Sequence, residues 1–465
     1  MPSPHLPDVL ARIDADLDAS LERLFAWLAI PSISTDPAYA EHCVAAARFI
    51  RQDLASLGVA AEVRDVPGAH PAVVGRVDGP SGKPHALFYG HYDVQPVDPL
   101  DLWESPPFTP VRKTLPDGRE VIVARGACDD KGQVMTFVEA CRAWKAVTGS
   151  LPIGLTFLIE GEEENGSKGL PAFVEAIRDE LAGDLALVCD TTQWDPQTPA
   201  VTASLRGLAY DEVIVRAADR DLHSGLFGGA AANPIHILGK IVGDLHDETG
   251  RVTLEGFYDG VSEPPPEVRA RWEALGLTSE QLLGPIGLSQ PAGERDRMII
   301  EMIQSRPTCD VNGIVGGYIG EGTKTVIAAQ ASAKISFRLV GDQDPEAVSA
   351  ALEKHVAARV PADCSYEIVR HKGSRAISLP YDMPALAAAE TALAAEWPNP
   401  PVIIGSGGSI PIVGDFKRTL GLDTLLVGFG LDDDRVHSPN EKYDLASFHK
   451  GIRSWARILA ELAKD

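Results

Sequence analysis

HALFYGHYDVQP, residues 85–96, is the stretch whose reading decides the fold. Between its two histidines runs ALFYG, with no charged residue, and such a short apolar run reads as a strand buried on both faces inside a helix-covered sheet. The strand ends by delivering His91, with Asp93 two residues later. The same construction recurs downstream. LTFLIE (155–160) is a second strand and delivers Glu163 and Glu164 in EGEEENGS (160–167); LALVCD (185–190) is a third and delivers Asp190; TLLVGFG (424–430) is a fourth and runs into LDDDRVHSPNEKYD, which contains His437. Between the first two lies RGACDDKG (125–132), followed by Val134, Phe137, Val138, Cys141 and Trp144 at helical spacing, so that Asp129 falls at a strand-to-helix turn. In open α/β sheets the crevice beyond the carboxyl ends of the strands is where ligands bind, and these separate loops are expected to converge there.

The residue types that converge are those of a two-metal site. Divalent cations of hard or borderline character are held by imidazole nitrogen and carboxylate oxygen, and two of them a few Å apart need at least one carboxylate in common. His91 is suited to give one ring nitrogen to a metal while Asp93 fixes the other. Asp129 is suited to be the shared carboxylate and Glu164 a terminal ligand, which leaves Glu163 free to act as a base. Asp190 and, from far along the chain, His437 complete the set. Taken singly each motif has an ordinary reading: a strand-end histidine as a satisfied structural group, a Glu run as a solvated turn. Acids directly after buried strands are costly, however, unless something compensates them, and coordination does so. Cys128, beside Asp129, is excluded as a ligand because neighbours in an extended stretch point to opposite sides.

Composition limits what else the chain can be. The 465 residues, 45% of them hydrophobic, are enough for a large core and for more than one domain. A formal charge of −24 argues against nucleic acid or an anionic membrane as partner. The first residues, MPSPHLPDVLARIDADLDA, lack a basic start followed by an apolar core, and no run reads as a membrane span. Cys43, Cys128, Cys141, Cys189, Cys309 and Cys364 have no paired spacing, which predicts reduced thiols and a cytoplasmic protein.

Leu10, Ile13, Leu17, Leu21, Leu24 and Leu28 predict one amphipathic helix ended by Pro31. His42, His355 and His449 fall on predicted helices and are expected to face solvent. From 207 to 375 the pattern changes to strand (208–217), helix (233–244), strand (313–319), strand (334–340), helix (345–358) and strand (365–371), a β-α-β-β-α-β module inserted into the first domain. The expected domains are therefore 1–206 and 376–465, forming one α/β unit with a central mixed sheet flanked by helices, and 207–375, an α+β insert.

These motifs, over nearly the whole length, resemble the metallopeptidase family of cytosolic non-specific dipeptidase, carnosinase, glutamate carboxypeptidase, aminoacylase and succinyl-diaminopimelate desuccinylase, with the dipeptidase branch the nearest. The resemblance implies a zinc-peptidase-type catalytic domain and gives the insert the role of a lid and dimerisation domain. It implies two divalent metal ions per subunit, zinc with manganese or cobalt as the alternatives: His91 and Asp190 on one, Glu164 and His437 on the other, Asp129 between them. Glu163 becomes the general base, Asp93 orients His91, and the Asp129–Asp130 peptide is implied to be cis. DLHSGLFGG (221–229) resembles a segment whose histidine, His223, crosses a homodimer to hydrogen-bond the oxyanion in the partner's site. GTKTVIAAQASAKISFRLV (322–340) resembles the stretch that brings Thr325 and Arg338 to substrate, GSGGSIPIV (405–413) the loop whose Ser409 helps hold the substrate carboxylate, and His371 matches another substrate-side histidine. Ser406 departs from the family pattern, which often has a charged residue there and uses it for amine recognition.

The implied reaction is hydrolysis of the amide bond of dipeptides or short peptides by a metal-bridging hydroxide, whose pKa two cations bring towards about 7, with Glu163 moving the proton. An N-acyl amino acid deacylase built on the same site is the alternative. A metal-free binding module is the third reading, and ligand-competent residues at every position argue against it.

Overall fold

The computed structural model describes residues 3–407 and 410–464. The chain divides into two compact units, one made of Met1–Ala203, Leu379–Ile404 and Ile410–Asp465, the other of Ser204–Ser378 and Gly405–Ser409.

Eight strands precede the insert: β1 (Ala60–Arg64), β2 (Ala72–Val77), β3 (His85–His91), β4 (Val111–Thr114), β5 (Glu120–Val123), β6 (Gly154–Glu160), β7 (Leu185–Val188) and β8 (Ala200–Leu205). The insert supplies β9 (Gly207–Arg216), β10 (Leu222–His223), β11 (Thr308–Gly316), β12 (Val326–Ile327), β13 (Gln330–Leu339), β14 (Ser365–Arg370) and β15 (Ile377–Ser378); β16 (Val402–Ser406), β17 (Thr424–Leu426) and β18 (Lys442–Asp444) follow. The central sheet runs β1-β2-β6-β3-β7-β17-β8, with β16 also beside β8. Within it β6, β3, β7 and β17 are mutually parallel, and β2 and β8 flank them antiparallel. The sheet is thus mixed, as the sequence leads one to expect, and its parallel middle explains why β6 is buried at every position and β3 at all but His85.

Helices Lys131–Thr148 and Leu445–Leu462 cover this sheet through Phe88, Phe137 and Trp455. The Phe88 and Phe137 rings stack with centroids 3.8 Å apart, and Trp455 meets Phe137 edge-on at 5.1 Å. Aromatic pairs of this kind add about 0.5–1.5 kcal/mol each beyond their burial. The predicted N-terminal helix is two, Leu6–Ala15 and Leu17–Leu28. Asp16 unwinds locally, yet its N–H still reaches the Arg12 carbonyl and its own carbonyl accepts from Ser20, so hydrogen bonding is continuous where helical geometry is not. The buried Lys131 ammonium donates to the carbonyls of Trp27 (3.2 Å) and Ile30 (2.8 Å), which fixes the end of the second helix against the start of Lys131–Thr148.

In the second unit a four-stranded antiparallel sheet, β11-β13-β9-β14, carries helices Pro234–Gly243 and Pro345–Ala357. Strict alternation along β9 and β13 puts Val213, Val215, Ala333, Ile335 and Phe337 into one core with Ile237, Ile241, Leu352 and Val356. The observed order is the expected β-α-β-β-α-β, but β11 starts five residues before the predicted 313. It is an edge strand, mostly exposed and irregular between Val311 and Gly313, so the alternation that marks its neighbours is missing from its sequence. His355 corrects another expectation: it is buried, because its Nε2 lies 3.0 Å from the Ile241 carbonyl at the end of the helix beneath it. Residues 405–407, expected with the first domain, group with the second unit, where Gly405 N–H donates to the Gln304 side chain and Arg206 N–H to the Ser406 carbonyl.

Candidate metal centre

Because β3, β6, β7 and β17 are parallel, their carboxyl ends lie along one edge of the sheet. His91 ends β3 opposite Glu160 of β6. A short 3-10 turn, Glu163–Asn165, follows β6, and Asp190 lies two residues beyond β7. Asp129 precedes helix Lys131–Thr148, and the Asp129–Asp130 peptide is cis, as the family resemblance implies.

At this edge Asp129 stands between two imidazoles. One of its carboxylate oxygens is 3.1 Å from His91 Nε2 and the other 3.0 Å from His437 Nε2. His91 Nε2 is also 3.8 Å from Asp190, and His437 Nε2 is 3.2 Å from Glu164. Two sets of side chains therefore offer ligand atoms within 4.8 Å of one another: His91, Asp129 and Asp190, and Asp129, Glu164 and His437. Only Asp129 belongs to both. The five residues singled out as ligands in the sequence meet in one place, drawn from segments up to 346 positions apart in the chain.

The surrounding hydrogen bonds orient this set. His91 Nδ1 is 3.1 Å from the Asp93 carbonyl and 3.3 Å from its carboxylate, so Asp93 faces the second ring nitrogen with both groups. The same buried carboxylate accepts from the amides of Glu163 (3.3 Å) and Glu164 (3.1 Å) and from the Ser34 hydroxyl (2.6 Å). Gln95 Nε2 donates to the Glu164 carboxylate at 2.7 Å. Cys128 is buried, with its thiol on Asp434 at 3.3 Å, and belongs to neither set.

Electrostatics test whether cations suit these residues. Burial pushes Asp190 up to about 7, with repulsion from Asp129 adding to it. Burial likewise pushes Glu163 up to about 9, opposed by His91 and reinforced by Asp190 and Glu164. Hydrogen bonds to Asp129 and Glu164 raise His437 to about 10. Asp129 goes the other way: burial opposes its ionisation, but hydrogen bonds from His437 and His91 outweigh that and hold it low. Burial and mutual repulsion thus disfavour the charged forms of Asp190 and Glu163, and two divalent cations would relieve the repulsion among the four carboxyl groups, so the donor set fits them.

The remaining predicted residues belong to the second unit. His223 is exposed at the end of β10, where its Nδ1 accepts the Gly225 amide at 3.0 Å. The β10–β12 ladder pairs His223 with Val326, and the Ser224 amide donates to the Thr325 carbonyl, so His223 and Thr325 are neighbours. Arg338 is partly buried on β13, paired with Thr308 and Leu208. His371 follows β14 and is exposed; its amide donates to the Tyr210 carbonyl and its ring meets that of Tyr210 at 5.1 Å. Ser409 lies outside the described residues. Sequence reasoning did not find Ser34, Gln95, Asp130, Arg125 or Glu441, all of which hold the loops of the centre.

A model of peptidase family M20/M25/M40 matches residues 87–461. The Cys-Gly metallodipeptidase of Schizosaccharomyces pombe is 31% identical over 471 residues, covering 97% of each chain. The human Beta-Ala-His dipeptidase is 29% identical over 491 residues, covering 100% of this chain and 94% of its own. Among solved structures, an M20 family metallo-carboxypeptidase from Sulfolobus solfataricus is 31% identical with a TM-score of 0.79, covering 96% of this chain and 99% of its own.

Proposed function

The chain belongs to peptidase family M20/M25/M40, and from that premise we propose that it hydrolyses the peptide bond of dipeptides and short peptides at the Asp129 centre. It is a metal-dependent peptide-bond hydrolase of the dipeptidase branch. The observation that carries the reading of the site is the position of Asp129 between two ligand sets at the carboxyl edge of the sheet.

His91 and Asp190 would hold one ion and Glu164 and His437 the other, with Asp129 available to both. When bound, the ions supply Lewis-acid polarisation of the scissile carbonyl and a water that is nucleophilic near neutral pH. Zinc is the proposed metal; the ligand set also suits manganese and cobalt. Glu163, in neither set and half-buried on the turn that carries Glu164, takes the proton of the attacking water on a carboxylate oxygen and returns it to the leaving amine. Asp93 fixes the His91 ring and the turn that carries Glu163 and Glu164. Arg338, with its planar fork, and Ser409 hold the substrate's terminal carboxylate, and Thr325 and His371 line the same substrate side.

The insert is proposed as lid and dimerisation domain, with His223 of the partner subunit completing each site at the oxyanion. Supporting this, β11 is a sheet edge that exposes Ile314 (60%) and Val315 (61%), and Leu226, three residues from His223, is 77% exposed. Apolar edges of this kind call for a cover. A cytoplasmic setting is proposed from the six free cysteines; no helix among the described residues is long and apolar enough to cross a membrane.

A panel pairing Ala-Ala and other plain dipeptides with their N-acetyl counterparts, assayed with zinc, manganese or cobalt added back to stripped protein, tests the proposal. The plain dipeptides are expected to be cleaved and the N-acetyl forms left intact. Preference for the N-acetyl forms would make the protein a deacylase instead.

A further inference from the structure

Four residues beyond His437, Glu441 is fully buried, and its carboxylate is saturated by donors from a single loop. One oxygen accepts from Arg125 Nη1 (2.8 Å) and the Gly126 amide (2.9 Å); the other accepts from the amides of Cys128 (2.9 Å) and Asp129 (3.1 Å). The Glu441 carbonyl also accepts the Ala124 amide, and β18 pairs with β5 immediately beyond. Arg125, itself buried, carries the connection onward: its Nη2 donates to the Pro96 carbonyl at 2.9 Å, at the end of the His91–Gln95 segment. Gly126 lies against that segment, has φ +81°, and a Cβ there would come within 2.8 Å of Val94. One carboxylate therefore meets the backbone that presents Asp129, stands next to the segment that presents His437, and reaches through Arg125 the segment that presents His91.

We propose that Glu441 is the positioning residue of the metal centre: it sets the Gly126–Asp129 backbone so that the two oxygens of Asp129 face His91 and His437 at the same time. The proposal rests on the reading of Asp129 as the shared ligand. Its effect differs in kind from that of a terminal ligand. Loss of His437 removes a donor from one ion, whereas a shifted Asp129 misaligns an oxygen for each. Glu441→Gln is the informative change, because an amide has one acceptor oxygen and its NH2 must then face either the Arg125 and Gly126 donors or the Cys128 and Asp129 donors.

Zinc affinity of the wild type, Glu441→Gln and Asp129→Asn is measured with a competing chelator at a temperature where circular dichroism shows each protein folded. Glu441→Gln is expected to bind both ions about 10–100-fold more weakly, the range for groups that orient metal ligands. A purely structural role would lower the melting temperature and leave both affinities at the wild-type level; that result overturns the proposal. If Asp129→Asn keeps both ions, the reading of the centre fails and this proposal with it. If Asp129→Asn loses them and Glu441→Gln does not, only this proposal fails. Should Glu441→Gln not fold, the wild type decides. In the metal-free protein the amides of Gly126, Cys128 and Asp129 are expected to exchange hydrogen as slowly as the interior of helix Lys131–Thr148, and exchange at the rate of an open loop overturns the proposal.

Discussion

Glu163 and Glu164 are sequence neighbours with the same side chain, and what separates their roles is which partner each carboxylate meets. Their amides share the Asp93 carboxylate, which pins the turn. Glu164 then lies against His437 and Gln95, while Glu163 belongs to neither ligand set. Glu163→Gln keeps volume and removes the proton acceptor, so turnover is expected to fall at least about 100-fold, the lower end of what a positioned base contributes, with zinc content by elemental analysis unchanged. Glu164→Gln should instead lower the zinc content. Near-normal turnover in Glu163→Gln would remove it from the reaction. His91 and Asp190 were legible because a histidine or acid directly after an apolar run is a local anomaly, and Asp129 because it falls at a strand-to-helix turn. Ser34 and Glu441 had no such mark: a serine 59 positions from the carboxylate it meets, and a glutamate in the polar string HSPNEKYD, read as ordinary surface.

Elements hold those residues in place by close packing, and the contact between β3 and helix Lys131–Thr148 shows how. Gly90, just before His91, sits so close to the helix that a Cβ would come within 2.4 Å of Val134 and 2.9 Å of the Asp130 carboxylate, which accepts the His91 amide at 3.2 Å. Gly90→Ala must therefore part strand and helix; a loss of about 1–3 kcal/mol is expected from such overpacking, seen in urea unfolding, together with weaker zinc binding because His91 and Asp129 lie on opposite sides of that contact. Around β18, polar contacts do the holding. Lys442 Nζ donates to Asp433, Asp434 and Asp444, and Arg119 donates to Asp433 at 2.6 Å. Burial opposes ionisation of Asp433, but the bonds from Arg119 and Lys442 outweigh it and bring the carboxyl down to about 2. A depressed folded pKa stabilises above the unfolded value, about 3.9, and that contribution is lost as pH falls towards 2. Asp433→Asn should be less stable than the wild type at pH 6, by no more than about 1 kcal/mol for so exposed a pair, and the gap should close in urea titrations between pH 4 and pH 2. A gap that persists at pH 2 would show that charge is not its source. The elements found in advance were unbroken apolar runs, such as β3 and β6, and strands of clean alternation, such as β9 and β13. The exposed edge strand β11 and short pieces such as β10 and β12 have no periodic signal, since alternation arises only where one face is covered.

At the scale of the whole molecule the chain interrupts one unit to build another and then returns to complete the first, so that His437 joins Asp129 only after the insert has been made. The return was legible because TLLVGFG repeats the apolar strand pattern of the earlier strands; what the insert contributes was carried by family resemblance, since no periodicity marks His223, Thr325, Arg338 or His371 as functional. The proposal that His223 serves the partner's site makes a prediction that no arrangement within one chain can meet. His223→Ala lacks the oxyanion donor and Glu163→Ala lacks the base, so each alone should be inactive or nearly so. After mixing and random exchange, about half the dimers of a two-fold assembly are hybrids. In each hybrid, the site that keeps its own Glu163 faces the partner's intact His223, and the other site lacks both groups. Activity should therefore return to about a quarter of the wild-type value on the same two-fold count, with the time course of subunit exchange followed by mass spectrometry of differently labelled proteins. Exchange proven by mass and accompanied by no activity would confine the complete site to a single chain.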